Sequence, residues 1–428
     1  MTSLNSIADS IPGYDRNDMP VDAVHDFLAE MLAPVSGSET VALFDALGRI
    51  VARDVISPVN VPPHDNSAMD GYAFHGESLR AGQPLQLECI ATALAGHAWS
   101  GSVAAHQCVR IMTGAVMPPG LDTVVPQELT RTAADGGIVI PADAIRAGGN
   151  RRSRGEDLTQ GSVALARGEP ITPAALGLLA SLGLARIEVS RRLRVAYFST
   201  GDEILEPGEP PREGAVYDSN RYALFGLLAR LGVQVIDLGA VRDEPLQLEA
   251  MLRRAADSAD AVITSGGVSG GDADHTRALM KQLGEVAFWR IAMRPGRPMA
   301  VGWLARGAGA ERCALFGLPG NPVAAMVTFL VFVRPALLRM MGCGRTETPC
   351  LQAVCTEPLR KRPGRTEFQR GVVSRSQDGS LQVRTTGNQG SGMLSSMVHA
   401  NGLIVLPHDR GAVQPGERVE VMMFDGLI

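Results

Sequence analysis

The sequence predicts a multidomain fold of α/β plus β class: a three-layer α/β unit, a small β-rich unit that precedes it, and a C-terminal β unit that reads as a small barrel or sandwich. Three observations predict it. The chain has 428 residues, more than one domain of the usual size (about 100–150 residues) accommodates. From Leu193 to Met341 apolar strands alternate with helical stretches, the pattern of a parallel sheet covered on both faces. On both sides of that segment short apolar runs alternate with turn residues, as in β structure.

Taken in order, Val24, Phe27, Leu28, Met31 and Leu32 recur at helical spacing within 21–33. Thr40 to Leu47 reads as a second helix, and Val51 to His64 as extended chain with prolines. The runs 85–96, 108–112, 123–129 and 136–141 read as strands of the small β-rich unit. A polar, basic stretch (144–158) and a small-residue helix (171–184) follow. The α/β segment then has strands beginning at Leu193, Val233, Asp260 and Cys313. Helices are expected over Ser219–Leu231, with Ser219 as cap, over Leu246–Ala259 and over Pro322–Met341. Five strands separated by turns such as Asp378-Gly379 and Pro415-Gly416 complete the chain. The expected domains are 1–56 with 141–190, 57–140, 191–341 and 342–428.

Composition excludes several function classes. Apolar residues at 45% supply several cores, and a net charge of −5 argues against a nucleic-acid coat. The 6 cysteines form no C-x-x-C and no zinc spacing, which predicts reduced thiols. The N-terminus lacks a basic start followed by an apolar core. Val323 to Val333, the most apolar run, falls short of the roughly 20 residues a bilayer requires. A cytoplasmic protein with no membrane or nucleic-acid partner is expected.

The strand ends carry the chemistry, because ligands of open α/β sheets bind at the carboxyl ends of their strands. At the first, Gly201 frees Thr200-Gly201-Asp202-Glu203 to turn backbone N–H groups toward an anion. Two adjacent acids would repel that anion unless a cation bridges them, which points to phosphate with Mg2+. A capping turn with a solvated acid pair is the competing structural reading. At the next, Ser265-Gly266-Gly267-Val268-Ser269-Gly270-Gly271-Asp272-Ala273-Asp274 removes the Cβ atoms that would obstruct a phosphate. It is neither a Walker A loop nor G-x-G-x-x-G. A flexible surface loop is the alternative, disfavoured by the buried strand directly before it. The Pro319-Gly320-Asn321-Pro322 turn starts a helix whose positive end faces the same rim. Arg290, Arg294 and Arg297 lie on a proline-stiffened segment suited to oxyanions, and Asp243 follows the strand from Val233.

The chain resembles the molybdopterin molybdenumtransferases, the MoeA family with the corresponding domain of gephyrin. The segments that carry the resemblance are Asp65–Tyr72, Arg110–Ala115, Asn150–Asp157, Thr200–Glu203, Tyr217–Arg221, Ser265–Ser269, Leu318–Pro322 and Arg365–Gly371. Each is weak alone; in family order from Pro62 to Asn401 they are specific. The resemblance implies a discontinuous N-terminal domain that holds the inserted β-rich domain, a three-layer α/β domain that binds molybdopterin and a C-terminal β-barrel, in a homodimer with a shared active site. The implied reaction inserts molybdenum from molybdate into adenylylated molybdopterin, with Mg2+ and release of AMP, as the final step of molybdenum cofactor biosynthesis. Molybdopterin adenylyltransferase and molybdoenzyme chaperones are the further partners it suggests.

Residue roles follow from the motifs and the resemblance together. Asp70, Glu203 and Asp274 are the candidate catalytic acids, Asp70 reaching across the dimer. Glu203, Asp243 and Asp274 are the candidate Mg2+ ligands. Substrate binding falls to Thr113, Arg151, Arg154, Asp157, Thr200, Gly201, Asp202, Ser265, Gly266, Gly267, Ser269, Arg290, Arg294, Arg297, Pro319, Asn321, Pro322, Arg370 and Ser391. For each single arginine a surface role competes. The family commonly has lysine where this chain has Arg290 and Arg294, so a compact ammonium becomes a planar fork. Two other functions compete: a scaffold that keeps the fold, which would not need the acids Asp70, Glu203, Asp243 and Asp274, and the related adenylyltransferase, which would need neither the insert nor the barrel.

Overall fold

The computed structural model describes residues 3–268, 274–307 and 311–426, without the side chains of Asp274 and His275. Ser38–Ala42 pairs antiparallel with Arg186–Ser190, so Glu39 lies opposite Val189 and Val41 opposite Ile187. Val55–Ile56 pairs with Val163–Leu165. Ala46, Val51, Ile171, Leu179 and Val189 form the core that these strands enclose. The expected helix over 40–47 is therefore a strand followed by a 3-10 turn at Leu43–Asp45. Its partner strand is supplied from far along the chain, and local spacing of apolar residues does not see it.

Between these paired strands the chain makes an excursion into a six-stranded mixed sheet. Its order is Thr123–Pro126, Gly71–Phe74, Gln107–Ile111, Leu85–Ala93, Ile138–Ile140 and Arg131–Thr132. Gly71 is required at the second strand, because a Cβ there would sit 2.0 Å from the Val125 carbonyl oxygen.

The first helices, α1 (Leu4–Ser10) and α2 (Val21–Met31), leave this unit and pack on the α/β segment. Phe27 meets Trp289 edge to face with ring centroids 4.8 Å apart, and both side chains are buried. The Met19 N–H donates to the Arg290 carbonyl at 2.9 Å, and the Ala292 N–H donates back to Met19 at 2.8 Å.

The central sheet contains β1 (Arg194–Thr200), β2 (Gln234–Val241), β3 (Ala261–Ser265), β4 (Gly284–Arg290), β5 (Pro298–Arg306) and β6 (Glu311–Leu318), in the order β2-β1-β3-β6-β5-β4. The strands β2, β1, β3 and β6 run parallel, β5 is antiparallel to β6, and the edge strand β4 is antiparallel to β5. The expected all-parallel sheet thus gains an antiparallel edge. Helices α3 (Ser219–Leu231), α4 (Pro245–Ser258) and α5 (Asp274–Leu283) join successive strands. Apolar residues fill both faces of the sheet, with Tyr197, Phe316 and Trp289 on one side and Phe198, Leu252 and Leu315 on the other. The chain turns one way from β1 to β2 and the other way from β3 onward, so the topological switch lies between β1 and β3.

The helix from Pro322 to Met340 is long and apolar enough to cross a membrane, but 78% of that segment is buried inside the fold. It is a core helix. It continues through Pro335 because a π turn at Phe329–Val333 precedes the proline and accommodates the N–H that proline lacks.

Five strands, Cys350–Cys355, Thr366–Arg375, Leu381–Thr385, Gly402–Leu406 and Arg418–Met423, close into a barrel through the pairing of the second with the fourth. Met293–Arg294 of the α/β unit adds to it in parallel, with Arg294 opposite Glu367. This stitch fixes the arginine-bearing loop to the barrel.

Candidate active site

The strands β1, β3 and β6 end at one cleft of about 1110 Å3. Thr200 and Glu203 enter it from the end of β1, Ser265 and Gly266 from β3, and Pro319, Asn321 and Pro322 from β6 and the helix that follows. The opposite wall is Arg294, Arg297 and Arg365, and Ser391 closes the barrel side. Gly266 has φ +94°, and a Cβ there would lie 2.5 Å from the Thr200 carbonyl oxygen. Only glycine lets the β3 loop pass that close to the β1 loop.

Among the described residues, the walls hold buried polar atoms without protein partners: Thr200 Oγ1, Asp218 Oδ2, Asn220 Oδ1 and Arg297 Nε. Such atoms are costly unless something bonds them, and these border one cavity. Asp218 is 2% exposed and caps α3 by accepting the Arg221 N–H at 3.0 Å. The cap is thus Asp218 and not Ser219. Asn220 is tied by its amide N–H to the Gly320 carbonyl at 2.8 Å. Beneath the floor the Tyr197 hydroxyl lies 2.8 Å from Ser199 Oγ and 2.7 Å from Ser265 Oγ. Burial drives the Tyr197 pKa well up, so it stays a neutral phenol that orients both serines.

The cleft is polar at both ends and opposite in sign. At one end burial raises the Asp243 pKa, and the carboxylates of Asp202 and Glu203 raise it further. The Asp243 N–H donates to Asp202 Oδ1 at 3.3 Å. At the other end the Arg297 pKa is lowered, first by burial and then by Arg365 and Arg290, while Asp18 pairs with it at 3.3 Å. A guanidinium remains a cation despite that shift. An anion with a compensating cation fits this polarity.

Other expected site residues lie elsewhere. Asp70 is exposed, and its Oδ1 accepts both the Thr113 N–H and the Thr113 hydroxyl at 2.7 Å. Those bonds, with Arg110 as a smaller cause, hold its pKa below the ordinary value. Arg151 approaches Asp65 at 3.7 Å, the Arg154 N–H donates to Asp65 at 2.8 Å, and Asp157 is exposed. All five belong to the inserted sheet or its neck and do not line this chain's cleft. Gly201, Asp202, Gly267 and Asp243 sit behind the lining on its loops, and Arg290 is exposed at the end of β4. Arg370 is 1% exposed. Its Nε donates to Ser396 and its Nη2 to the Gly390 carbonyl, each at 3.0 Å. Burial, with Arg294 nearby, lowers its pKa to about 10. It therefore anchors the loop that carries Ser391. Ser269 and the side chain of Asp274 lie outside the described residues.

The lining also includes Tyr217, Asp218, Asn220, Arg365, Gln389 and Gly390, which sequence reasoning did not assign. Tyr217–Arg221 and Arg365–Gly371 carried the family resemblance, and that was the available signal. Gln389 had none: its amide oxygen accepts the Arg370 N–H at 2.7 Å across the barrel.

The chain matches three family models in order: the MoeA N-terminal region (domain I and II) over 19–183, a probable molybdopterin binding domain over 196–339, and the MoeA C-terminal region (domain IV) over 352–424. It is similar to the molybdopterin molybdenumtransferase of Haemophilus influenzae, with 40% identity over 96% of this chain and 100% of that protein. The molybdopterin molybdenumtransferase of Bacillus subtilis is 34% identical over 90% of both chains. A solved molybdopterin biosynthesis MoeA protein from Pyrococcus horikoshii superposes with a TM-score of 0.78 at 26% identity, covering 95% of this chain and 100% of that one. The protein belongs to the MoeA family of molybdopterin molybdenumtransferases and is a transferase of molybdenum cofactor biosynthesis.

Proposed function

We propose that the cleft takes adenylylated molybdopterin and molybdate, and that molybdenum insertion with Mg2+ releases AMP to give the molybdenum cofactor. The observation that carries this reading is the polarity of the cleft: Glu203 lines it at the β1 end with Asp202 and Asp243 behind, and Arg294, Arg297 and Arg365 line it toward the barrel. Arg294, Arg297 and Arg365 would hold oxyanions, and the unpartnered Thr200 hydroxyl and Asn220 amide oxygen would bond the ligand's polar edge. Glu203, Asp243 and Asp202 would keep negative charge at the opposite end.

Among the described residues no three His, Cys, Asp or Glu side chains form a ready metal group. Mg2+ needs less than that, since it is bound by one or two carboxylates completed by substrate phosphates and water. Asp202 and Glu203, which add to burial in raising the Asp243 pKa, make with it a carboxylate group that suits such a cation. When bound, Mg2+ would neutralise charge on the phosphoanhydride oxygens.

Asp70 and Thr113 would serve the site of a second copy in a cytoplasmic homodimer. Their exposed position on the insert supports this, as do the exposed apolar side chains of Phe44 (99%), Leu47 and Ile56 on the adjoining unit. A molybdopterin adenylyltransferase upstream and a molybdoenzyme chaperone downstream would complete the route.

Purified protein with adenylylated molybdopterin, molybdate and Mg2+ should release AMP and activate an apo-molybdoenzyme, and Glu203→Ala should abolish both while the protein stays folded. Absence of AMP release from the folded wild type would refute the reaction. Mixing Asp70→Ala with Glu203→Ala should restore activity, because one site of the mixed dimer is then intact. No restoration despite verified subunit exchange would refute the shared site.

A further inference from the structure

A second groove of about 730 Å3 opens beside the cleft and shares Arg294 and Arg365 with it. Its remaining polar walls are Asp18, Arg360, Lys361, Arg362 and Glu367. The two acids are already engaged. Asp18 pairs with Arg297 at 3.3 Å, and Glu367, 8% exposed, accepts the Gln369 amide at 2.9 Å. Among the described residues Arg294, Arg360, Arg362 and Arg365 have no carboxylate within ion-pair distance.

The loop that bears these cations is held in shape. Lys361 is 7% exposed, and its ammonium donates to the carbonyls of His408 at 3.1 Å and Arg410 at 2.6 Å. The Gly364 N–H donates to the His408 carbonyl at 3.0 Å. Immediately beyond, Thr366–Glu367 pairs with Met293–Arg294, which brings the arginines of the barrel loop beside those of the α/β unit. Arg365 also stands within the field of Arg297 next door, whose pKa is lowered first by burial and then by Arg365 and Arg290. Four guanidinium groups and the Lys361 ammonium face two carboxylates here, and such a net positive wall on a chain of net charge −5 attracts small anions. Guanidinium forks match the edges of tetrahedral oxyanions.

We propose that this groove is a second, outer anion site for tetrahedral dianions, either an inorganic oxyanion or the phosphate monoester of an organic substrate, and that Arg294 and Arg365 pass the anion to the cleft. The anion site stands on the groove itself; the passage into the cleft rests on the insertion reaction proposed above.

The test is calorimetric titration of the full-length protein with sodium molybdate and, separately, with glycerol phosphate. The wild type should bind an anion at this site in addition to any held in the cleft. Arg360→Gln/Arg362→Gln, which removes only exposed charges outside the cleft, should weaken the additional binding about tenfold or more, and, where molybdate is the anion affected, the KM for molybdate should rise by about the same factor. Loss confined to molybdate identifies an inorganic oxyanion as the occupant, and loss confined to glycerol phosphate identifies a phosphate monoester. Wild-type stoichiometry and affinity in the double variant for both anions would overturn the site. If the binding is lost as expected but wild-type protein releases no AMP, the outer site stands and the insertion reaction falls.

Discussion

Asp260 joins the units at the end of the sheet away from the cleft, and its replacement by asparagine isolates what that junction contributes. Its side chain is 4% exposed and meets the Arg191 guanidinium at 2.7 and 3.0 Å. It also accepts the Arg194 N–H at 2.9 Å and the Arg194 guanidinium at 3.2 Å. Burial alone would raise its pKa; the hydrogen bonds from Arg191 and Arg194 outweigh that and lower it from 3.8 to about 2. A shift of nearly two units corresponds to about 2 kcal/mol of stability from the ionised carboxylate. Because the folded pKa lies below the unfolded value, that stability is complete above pH 5 and drains away as the pH falls through 4 toward 2. Asp260→Asn should therefore lower stability by about 2 kcal/mol at pH 7 and by about half as much at pH 3. Urea unfolding followed by the fluorescence of Trp289 and Trp303, both in the same sheet, measures the gap. A gap below about 0.5 kcal/mol at pH 7, or one that widens as the pH falls, would refute the reasoning.

Other expected outcomes follow from the site. Gly266→Ala places a Cβ 2.5 Å from the Thr200 carbonyl in a left-handed backbone, so the fold should lose about 1–2 kcal/mol while AMP release drops at least tenfold; near-normal activity would show that the two loops need not approach. Thr113→Val removes one of the two hydrogen bonds on Asp70 Oδ1, so the Asp70 pKa should rise toward the ordinary carboxylate value, as read by NMR titration of the side-chain carboxyl. Arg370→Lys cannot bond both Ser396 and Gly390 in the same geometry; amide exchange at Val323, whose N–H donates to the Ser391 carbonyl, should accelerate, and an unchanged rate would mean that the loop holds without its anchor.

How much of this was legible in the sequence depends on how far each partner lies along the chain. The β1 and β3 loops announced themselves, because a buried strand that runs directly into Gly201 or Gly266 has few alternatives. The barrel strands were legible from turns and alternation. Ser38–Ala42 was not, since its partner begins at Arg186 and local spacing around it also fits a helix. Nor was the antiparallel edge of the sheet: β4 and β5 flank a segment whose arginines and prolines drew attention away from the strands on both sides. Arg370 shows what a motif alone leaves out. A charged residue in a family-like motif suggests a ligand contact, yet the buried Arg370 places two of its five donors on Ser396 and Gly390.

The cleft itself was only half legible for a related reason. The acids and glycines come from loops of one unit, and each of those loops follows its own strand, so the sheet topology alone brings them together. The arginine wall has no such single cause. Arg294 and Arg365 are neighbours because a two-residue parallel pairing, Met293–Arg294 with Thr366–Glu367, joins the α/β unit to the barrel. Ser391 reaches the same cleft because Arg370 and Gln389 hold its loop from behind while the Val323 N–H takes its carbonyl from the front. Positive charge in the cleft is thus placed by contacts between units and carboxylate charge by contacts within one. A change that loosens the barrel against the α/β unit should therefore weaken anion binding before it disturbs the acid end, whereas a change inside the sheet should do the reverse.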